Sequence, residues 1–251
     1  MAKVLVIGDT CKDIHVYGTC DRMCPDAPVP VFVPTVTKEN LGMAGNVYQN
    51  MVSLGATVDI KTNDVTIEKK RFVQEATNHM FLRVDSGEES IKRINGLTKE
   101  LLSSYDAIVI SDYNKGFLLK EDIQFICDNH DYTFVDTKKK IGNFCKNAKL
   151  IKINSVEYEN SIDFIEQNDW TKTKIIQTCG SKGCKLNGVT YTVEKVEIKD
   201  VCGAGDTFLA SLCVKYMDTK DVEESIRFAN DCASIVVQLK GVNTVTPKLV
   251  V

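Results

Sequence analysis

The chain has 251 residues, 43% hydrophobic and 26% charged, and its 31 basic and 34 acidic residues leave a net charge of −3. That is the composition of an ordinary globular protein, long enough for one large α/β domain or two small ones, and the near-neutral balance excludes the basic footprint of a nucleic-acid or anionic-membrane binder. Ten cysteines without a C-x-x-C pair and three scattered histidines exclude a zinc site or a small disulfide framework; no stretch approaches the ~20 apolar residues of a membrane span and the N-terminal apolar run is too short for a signal peptide, so a cytoplasmic protein with reduced thiols is expected.

In chain order, the apolar run at 4–7 reads as a buried strand. Residues 29–37, interrupted by prolines, read as extended and partly alternating, and 44–54 as an amphipathic helix. A second extended segment covers 70–84, followed by a helix at 97–104 and a strand at 107–110. Thereafter the pattern alternates: helix 120–129, strands 133–135 and 150–153, helix 161–168, strand 175–178, and helices 204–217 and 222–239. This order predicts a mostly parallel sheet covered by helices, within one main domain. The two extended segments suit edge strands of a small β-layer, which serves either as a lid or as a dimer surface.

The most informative stretch is Asp200-Val201-Cys202-Gly203-Ala204-Gly205-Asp206. Two glycines let the backbone approach a ligand, and the helix opening near Ala204 aims free N–H groups and a positive dipole end there. Such a nest suits a phosphate and the charge that develops during its transfer. Asp206 falls in the first helical turn, where the dipole is expected to keep it ionised; an acid there is also common as a simple helix start. Thr178-Cys179-Gly180-Ser181-Lys182-Gly183 ends a strand in a glycine-rich turn, either structural or in contact with a nucleotide. Asn154 and Glu157 follow another strand end, three residues apart, and either hold Mg²⁺ through water or cap a helix. Gly8-Asp9 with Asp13, and Gly42-Met43-Ala44-Gly45-Asn46, supply acids and an amide at crevice positions. No first-strand G-x-G-x-x-G and no Walker motif is present, against a dinucleotide fold or a P-loop enzyme.

In this order the motifs resemble the PfkB/ribokinase family of sugar kinases, and within it the heptose-7-phosphate kinase domain of bifunctional ADP-heptose synthases. The likeness also rests on Arg22-Met23-Cys24-Pro25-Asp26-Ala27-Pro28-Val29-Pro30-Val31, Ser53-Leu54-Gly55-Ala56, Leu82-Arg83-Val84-Asp85, Ser111-Asp112-Tyr113-Asn114-Lys115-Gly116, Asp136-Thr137-Lys138 and Val245-Thr246-Pro247. The resemblance implies an α/β ribokinase-like three-layer sandwich spanning 1–251, with lid strands at about 14–37 and 70–84. It implies Asp206 as general base and Gly203, Ala204 and Gly205 as an anion hole. Asn154 and Glu157 become its metal-and-phosphate motif, Thr178, Gly180, Lys182 and Gly183 its nucleotide contacts, and Asn230 a neighbour of the adenine. Asp13, Gly42 and Asn46 become sugar contacts, and Lys115 or Arg83 meets a phosphate on the substrate. ATP and Mg²⁺ are the implied cofactors, a sugar or sugar phosphate the substrate, and a homodimer through the β-lid the assembly, with the two extended segments pairing with each other and with a second copy. Two departures stand out. Met43 replaces the second glycine of the family's hinge, restricting φ where the lid bends. Between Ala56 and Thr66 the chain is shorter than the family pattern by a few dozen residues, which removes a strand-helix piece from one sheet edge.

Overall fold

The computed structural model describes residues 2–246, so Pro247 of the C-terminal motif lies outside the described residues. The strands are β1 (Lys3–Gly8), β2 (Thr10–Met23), β3 (Pro30–Met43), β4 (Thr57–Thr62), β5 (Ile67–Gln74), β6 (Met80–Ser86), β7 (Ala107–Asp112), β8 (Thr133–Thr137), β9 (Leu150–Asn154), β10 (Ile175–Thr178), β11 (Cys184–Leu186) and β12 (Val189–Tyr191). The helices are α1 (Ala44–Ser53), α2 (Lys99–Ser103), α3 (Lys120–Asn129), α4 (Ser155–Asn160), α5 (Ile162–Gln167), α6 (Trp170–Lys174), α7 (Ala204–Thr219) and α8 (Val222–Val236).

Eight strands form one sheet in the order β12-β11-β10-β9-β8-β7-β1-β4. All pairs from β10 to β4 are parallel, and the β11–β12 hairpin adds antiparallel at one edge. The apolar run of β1 is buried on both faces, as a central parallel strand requires. Val4 and Val6 pack into a core with α1, α7 and α8. Leu5 and Ile7 point the other way, into a core shared with α2, α3 and α5. Three layers follow from that alternation. The strands end in register, with Gly8 opposite Ser111 and Thr62, Asp112 opposite Thr137, and Thr178 opposite Asn154. Every motif singled out at a strand end therefore gathers at the carboxyl edge of one sheet, where open α/β sheets bind ligands.

The second sheet has the order β3-β2-β5-β6. It is the expected β-layer with wider bounds: the first segment extends from Thr10 to Met43, and the second is two strands joined by a turn. The two segments do not pair through 29–37 and 70–84, because β2 lies between β3 and β5 and bonds to both. The helix expected at 161–168 is preceded by a separate helix, α4, and Ser161 divides the two. Strand β4, with Asp59 and Lys61 among its six residues, forms the far edge of the main sheet and escaped the apolar-run criterion.

Met43 joins the lid to α1. Its backbone takes φ 59° and ψ −132°, a conformation that glycine adopts freely and that strains other residues by about 1–3 kcal/mol. The side chain offsets this, because it is 3% exposed, packs with Cys11 and Ile67, and accepts a contact from Lys69 Nζ at 3.1 Å. Met43→Ala keeps the strain and loses the packing, whereas Met43→Gly loses the packing alone. Chemical denaturation should therefore rank the glycine variant above the alanine variant by about 1 kcal/mol, the reverse of their order at an ordinary position.

Candidate active site

Asp206 lies three residues into α7, behind an N-cap at Gly203 with φ +80°. The N–H of Ala204 is turned back to Val201 O at 3.3 Å. Those of Gly205 and Asp206 donate to no other group among the described residues. The nest thus presents two open donors next to Gly203, and Ala204 contributes shape. Under Gly205 lies Lys152 of β9, whose Nζ would stand 2.8 Å from any added Cβ. Only glycine lets that ammonium sit directly beneath the helix start. Lys152 is held at 2.6 Å by Asp136 of β8, and both side chains are buried.

Asp206 is 5% exposed, and each oxygen of its carboxylate accepts one side-chain hydrogen bond. Asn46 Nδ2 donates to Oδ2 at 3.0 Å, and the Tyr113 hydroxyl donates to Oδ1 at 2.7 Å. Burial pushes its pKa up to about 6, against the two hydrogen bonds and the Lys152 charge, which pull it down. Desolvation is the largest influence on this acid, and the side-chain donors and the Lys152 charge oppose it. A value of about 6 still leaves the carboxylate mostly ionised at neutral pH, close to the best value for a general base.

On one side, Ala204, Gly205 and Phe208 wall a cavity of about 380 Å³ together with Thr178, Gly180, Ser181, Gly183 and Asn230. Apolar side chains of Val193, Val196, Ile198, Val201 and Val237 complete it, a lining suited to a flat heterocycle. Lys182 is exposed outside it. Asn230 reaches the wall but gives its amide to Tyr191 O at 3.1 Å. Asn154 and Glu157 form a capping box at α4: Glu157 N donates to Asn154 Oδ1 at 2.9 Å, and Asn154 N donates to Glu157 Oε2 at 2.8 Å. Glu157 also receives Lys138 Nζ. Its carboxylate is therefore engaged by three donors, which suits holding a hydrated ion better than binding one directly.

On the other side stands the lid. Asp13 of β2 is paired with Arg71 of β5. Gly42 sits opposite Cys11 in the β2–β3 register, two positions from Asp13. Arg83 of β6 lies opposite Arg71 and chelates Asp85 at 2.7 and 2.8 Å. Lys115 is tied to Glu88 at 2.6 Å. Asp9, read as a crevice acid, is wholly buried and holds backbone instead: its Oδ2 accepts from Tyr113 N at 2.8 Å. Among the expected residues, Asp206, Asn46, Gly203 and Gly205 converge on one point, and Thr178, Gly180, Gly183 and Asn230 share one cavity.

A pfkB family carbohydrate kinase profile matches residues 118–249, just over half of the chain and including every residue of α7 and α8. The chain belongs to this family. Among curated relatives, the bifunctional protein HldE of Nitratiruptor is 32% identical over 97% of this chain and 63% of its own length. The chain thus spans less than two thirds of that relative. The alignment runs over 299 positions against 251 residues, so the relative carries residues that this chain lacks. Among solved structures, phosphofructokinase-2 from Escherichia coli superposes with a TM-score of 0.77 at 14% identity, over 100% of this chain and 97% of that one. A ribokinase from Arabidopsis thaliana, complexed with ribose and ATP, gives 0.71 at 14% identity over 99% and 97%. Both show the ribokinase-like fold.

The motif reading of this kinase omitted Lys152 and gave Tyr113 and Asp136 no role. The signal was present in Leu150-Ile151-Lys152-Ile153-Asn154, where an ion interrupts a buried strand. Breaking a buried pair from one side costs about 3–5 kcal/mol, because the remaining charge is left uncompensated. Lys152→Met should destabilise the protein by that amount in urea unfolding, and Lys152→Met combined with Asp136→Leu should recover most of the loss.

Proposed function

We propose that this chain, as one kinase unit over 1–251, moves the γ-phosphate of ATP onto a hydroxyl of a sugar phosphate, with Asp206 as general base. The observation that carries this reading is the position of Asp206, which is buried, ionisable near neutrality, and set between a nucleotide-sized cavity and the lid. Asp206 takes the hydroxyl proton as that oxygen bonds to the γ-phosphorus and the bond to the β-phosphate oxygen breaks, releasing ADP. The Gly205 and Asp206 N–H groups, with Lys152 beneath them, receive the charge that spreads over the transferring group. Asn154 and Glu157 would hold the water shell of a nucleotide-bound Mg²⁺, and that ion would neutralise phosphate charge. Thr178, Gly180, Gly183 and Asn230 bind the nucleotide. Asp13, Gly42 and Asn46 orient the sugar.

A phosphorylated acceptor is favoured because Lys69, Arg71 and Arg83 occupy alternate positions of adjacent lid strands. The resemblance to heptose-7-phosphate kinase domains makes D-glycero-D-manno-heptose 7-phosphate, at its anomeric hydroxyl, the first acceptor to test; a ketohexose phosphate or a pentose comes next. Ten free cysteines and the absence, among described residues, of a membrane-length apolar helix fit work in a reducing cytoplasm.

Asp206→Asn removes the proton acceptor while keeping the shape, so turnover should fall by roughly 10²–10⁴-fold with ATP binding nearly unchanged. The folded carboxyl titrates above its unfolded value, so its contribution to stability is complete at acid pH and lost as pH rises through about 6. The Asn variant should therefore be no less stable than wild type at pH 8. A coupled assay over a sugar-phosphate panel, with nucleotide titration on the same preparation, checks both; an Asn variant that turns over like the parent would sink the mechanism.

The lid also carries an assembly expectation. Met80, Leu82 and Val84 on β6 and Val33 and Val36 on β3 are all more than two-fifths exposed, on the two open edges of a four-stranded sheet. Bare apolar edges invite pairing. The protein should form a homodimer through the lid in sedimentation analysis at micromolar concentration, and Leu82→Lys should shift it to monomer.

A further inference from the structure

Both oxygens of Asp206 are fixed by side chains from outside its own helix. Asn46 of α1 holds Oδ2, and Tyr113, in the turn after β7, holds Oδ1. Donors on both oxygens define the plane of the carboxylate as well as its place. Tyr113 is itself clamped at two points. Its N–H donates to Asp9 Oδ2 at 2.8 Å, joined by Lys115 N at 3.4 Å, so a fully buried carboxylate holds the turn. Its ring meets two cations, with Lys69 Nζ of the lid at 5.3 Å and Lys138 Nζ of the main domain at 5.1 Å from the centroid. Cations at that distance are attracted to the ring face. The next residue, Asn114, adopts φ +57°, which turns the chain so that ring and backbone meet different partners.

We propose that Tyr113 is a positioning residue for phosphoryl transfer: its hydroxyl orients the Asp206 carboxylate toward the acceptor and stabilises its ionised form, while Asp9 holds the tyrosine in register. This rests on Asp206 being the base. Burial, and then the charge of Asp206, raise the Tyr113 phenol well above its ordinary range, so it remains a donor throughout the working pH. Its proton stays on the phenol during the reaction, and the acceptor's proton goes to Asp206. A carboxylate oxygen accepts from more than one donor, so the tyrosine leaves room for the substrate hydroxyl. The other titratable groups facing Asp206 are Lys152 of β9, Asp136 of β8, Lys138 just after β8, and Cys11 of β2. None of them is hydrogen-bonded to it, which leaves Tyr113 as the titratable neighbour whose removal acts on the carboxylate directly.

Tyr113→Phe keeps the ring beside the two lysines and deletes only the hydroxyl. Losing a donor to an ionised group favours the protonated acid, so the titration of Asp206 should move upward, by about one pH unit for a charge-assisted bond. The test is carbon NMR on protein labelled at aspartate Cγ, with the Asp206 resonance assigned by its loss in Asp206→Asn. Alongside it runs a pH profile of kcat/KM with the best acceptor from the panel. The expected result is a matching upward shift of the Asp206 midpoint and of the acid limb. At pH 8 kcat should fall roughly 10-fold from lost orientation, while KM for ATP stays within about 2-fold. Coincident midpoints and limbs in the two proteins would overturn the proposal. Wild-type protein labelled at tyrosine Cζ gives a readout that needs no variant: the Tyr113 signal should inflect at the Asp206 midpoint, and a flat trace there also overturns it. A wild type that phosphorylates no sugar would remove the kinase reading alone, since the NMR midpoints still decide whether Tyr113 governs Asp206.

Discussion

A carboxylate that must be both dry and charged sets the terms for the rest of this site. On the proposed reading, burial would protect a transferring phosphoryl group from water and strengthen every dipole aimed at it, yet the same burial drives Asp206 toward the neutral acid, which could not act as base. The chain resolves the conflict locally: two neutral donors sit on the carboxylate, one buried ammonium lies a short distance off, and two open N–H groups lie ahead. Lys152 could not stand there alone. Its partner Asp136 lies 2.6 Å away and compensates the buried charge, and the missing side chain at Gly205 leaves room for the ammonium under the start of the helix. Sequence positions far apart, in α1, β8, β9, α7 and the turn after β7, are thereby committed to one another through a few ångströms of geometry.

The framework of this arrangement was legible in the chain because it obeys local rules. Five apolar runs became the five parallel strands at the centre of the sheet, and the glycine pair before Asp206 became a helix start with a left-handed cap. Elements with weak local signals escaped. Strand β4 lies at the sheet edge with alternate charges, and β11 and β12 are three residues each, although Asn187-Gly188 between them, both with positive φ, is a recognisable hairpin turn. The site divided along the same line. Motif residues were found because each carries a turn or an acid at a strand end. Lys152 was not, and Tyr113 and Asp136 stood in motifs without a role, because their importance comes from partners about 16 to 93 residues away, which no window of sequence contains.

Met43 illustrates a different limit. The residue identity alone suggested a stiffened hinge, since a side chain replaces a glycine. The structure places it in the glycine conformation regardless, with strain offset by burial against Cys11 and Ile67 and by the contact with Lys69. The cost of a wrong residue in a turn was thus absorbed by tertiary packing, and the packing in turn aims a lid lysine at the Tyr113 ring.

That last contact connects the lid to the chemistry. Lys69 belongs to β5 of the lid, its ammonium touches the thioether at the hinge and faces the ring of Tyr113, and Tyr113 holds the base. Lys138, the second cation close to the ring, is paired with Glu157 of the capping box at the end of β9. One tyrosine therefore meets a cation from the lid and a cation from the main domain, with its hydroxyl on the carboxylate proposed to take the proton. A lid displaced from the main domain would withdraw Lys69 and admit water to a carboxylate whose pKa is set by being dry. On the proposed reading, the position of the lid and the state of the base are two consequences of one packing arrangement: the acceptor would be deprotonated where water has been excluded, which is also where transfer to water would otherwise compete.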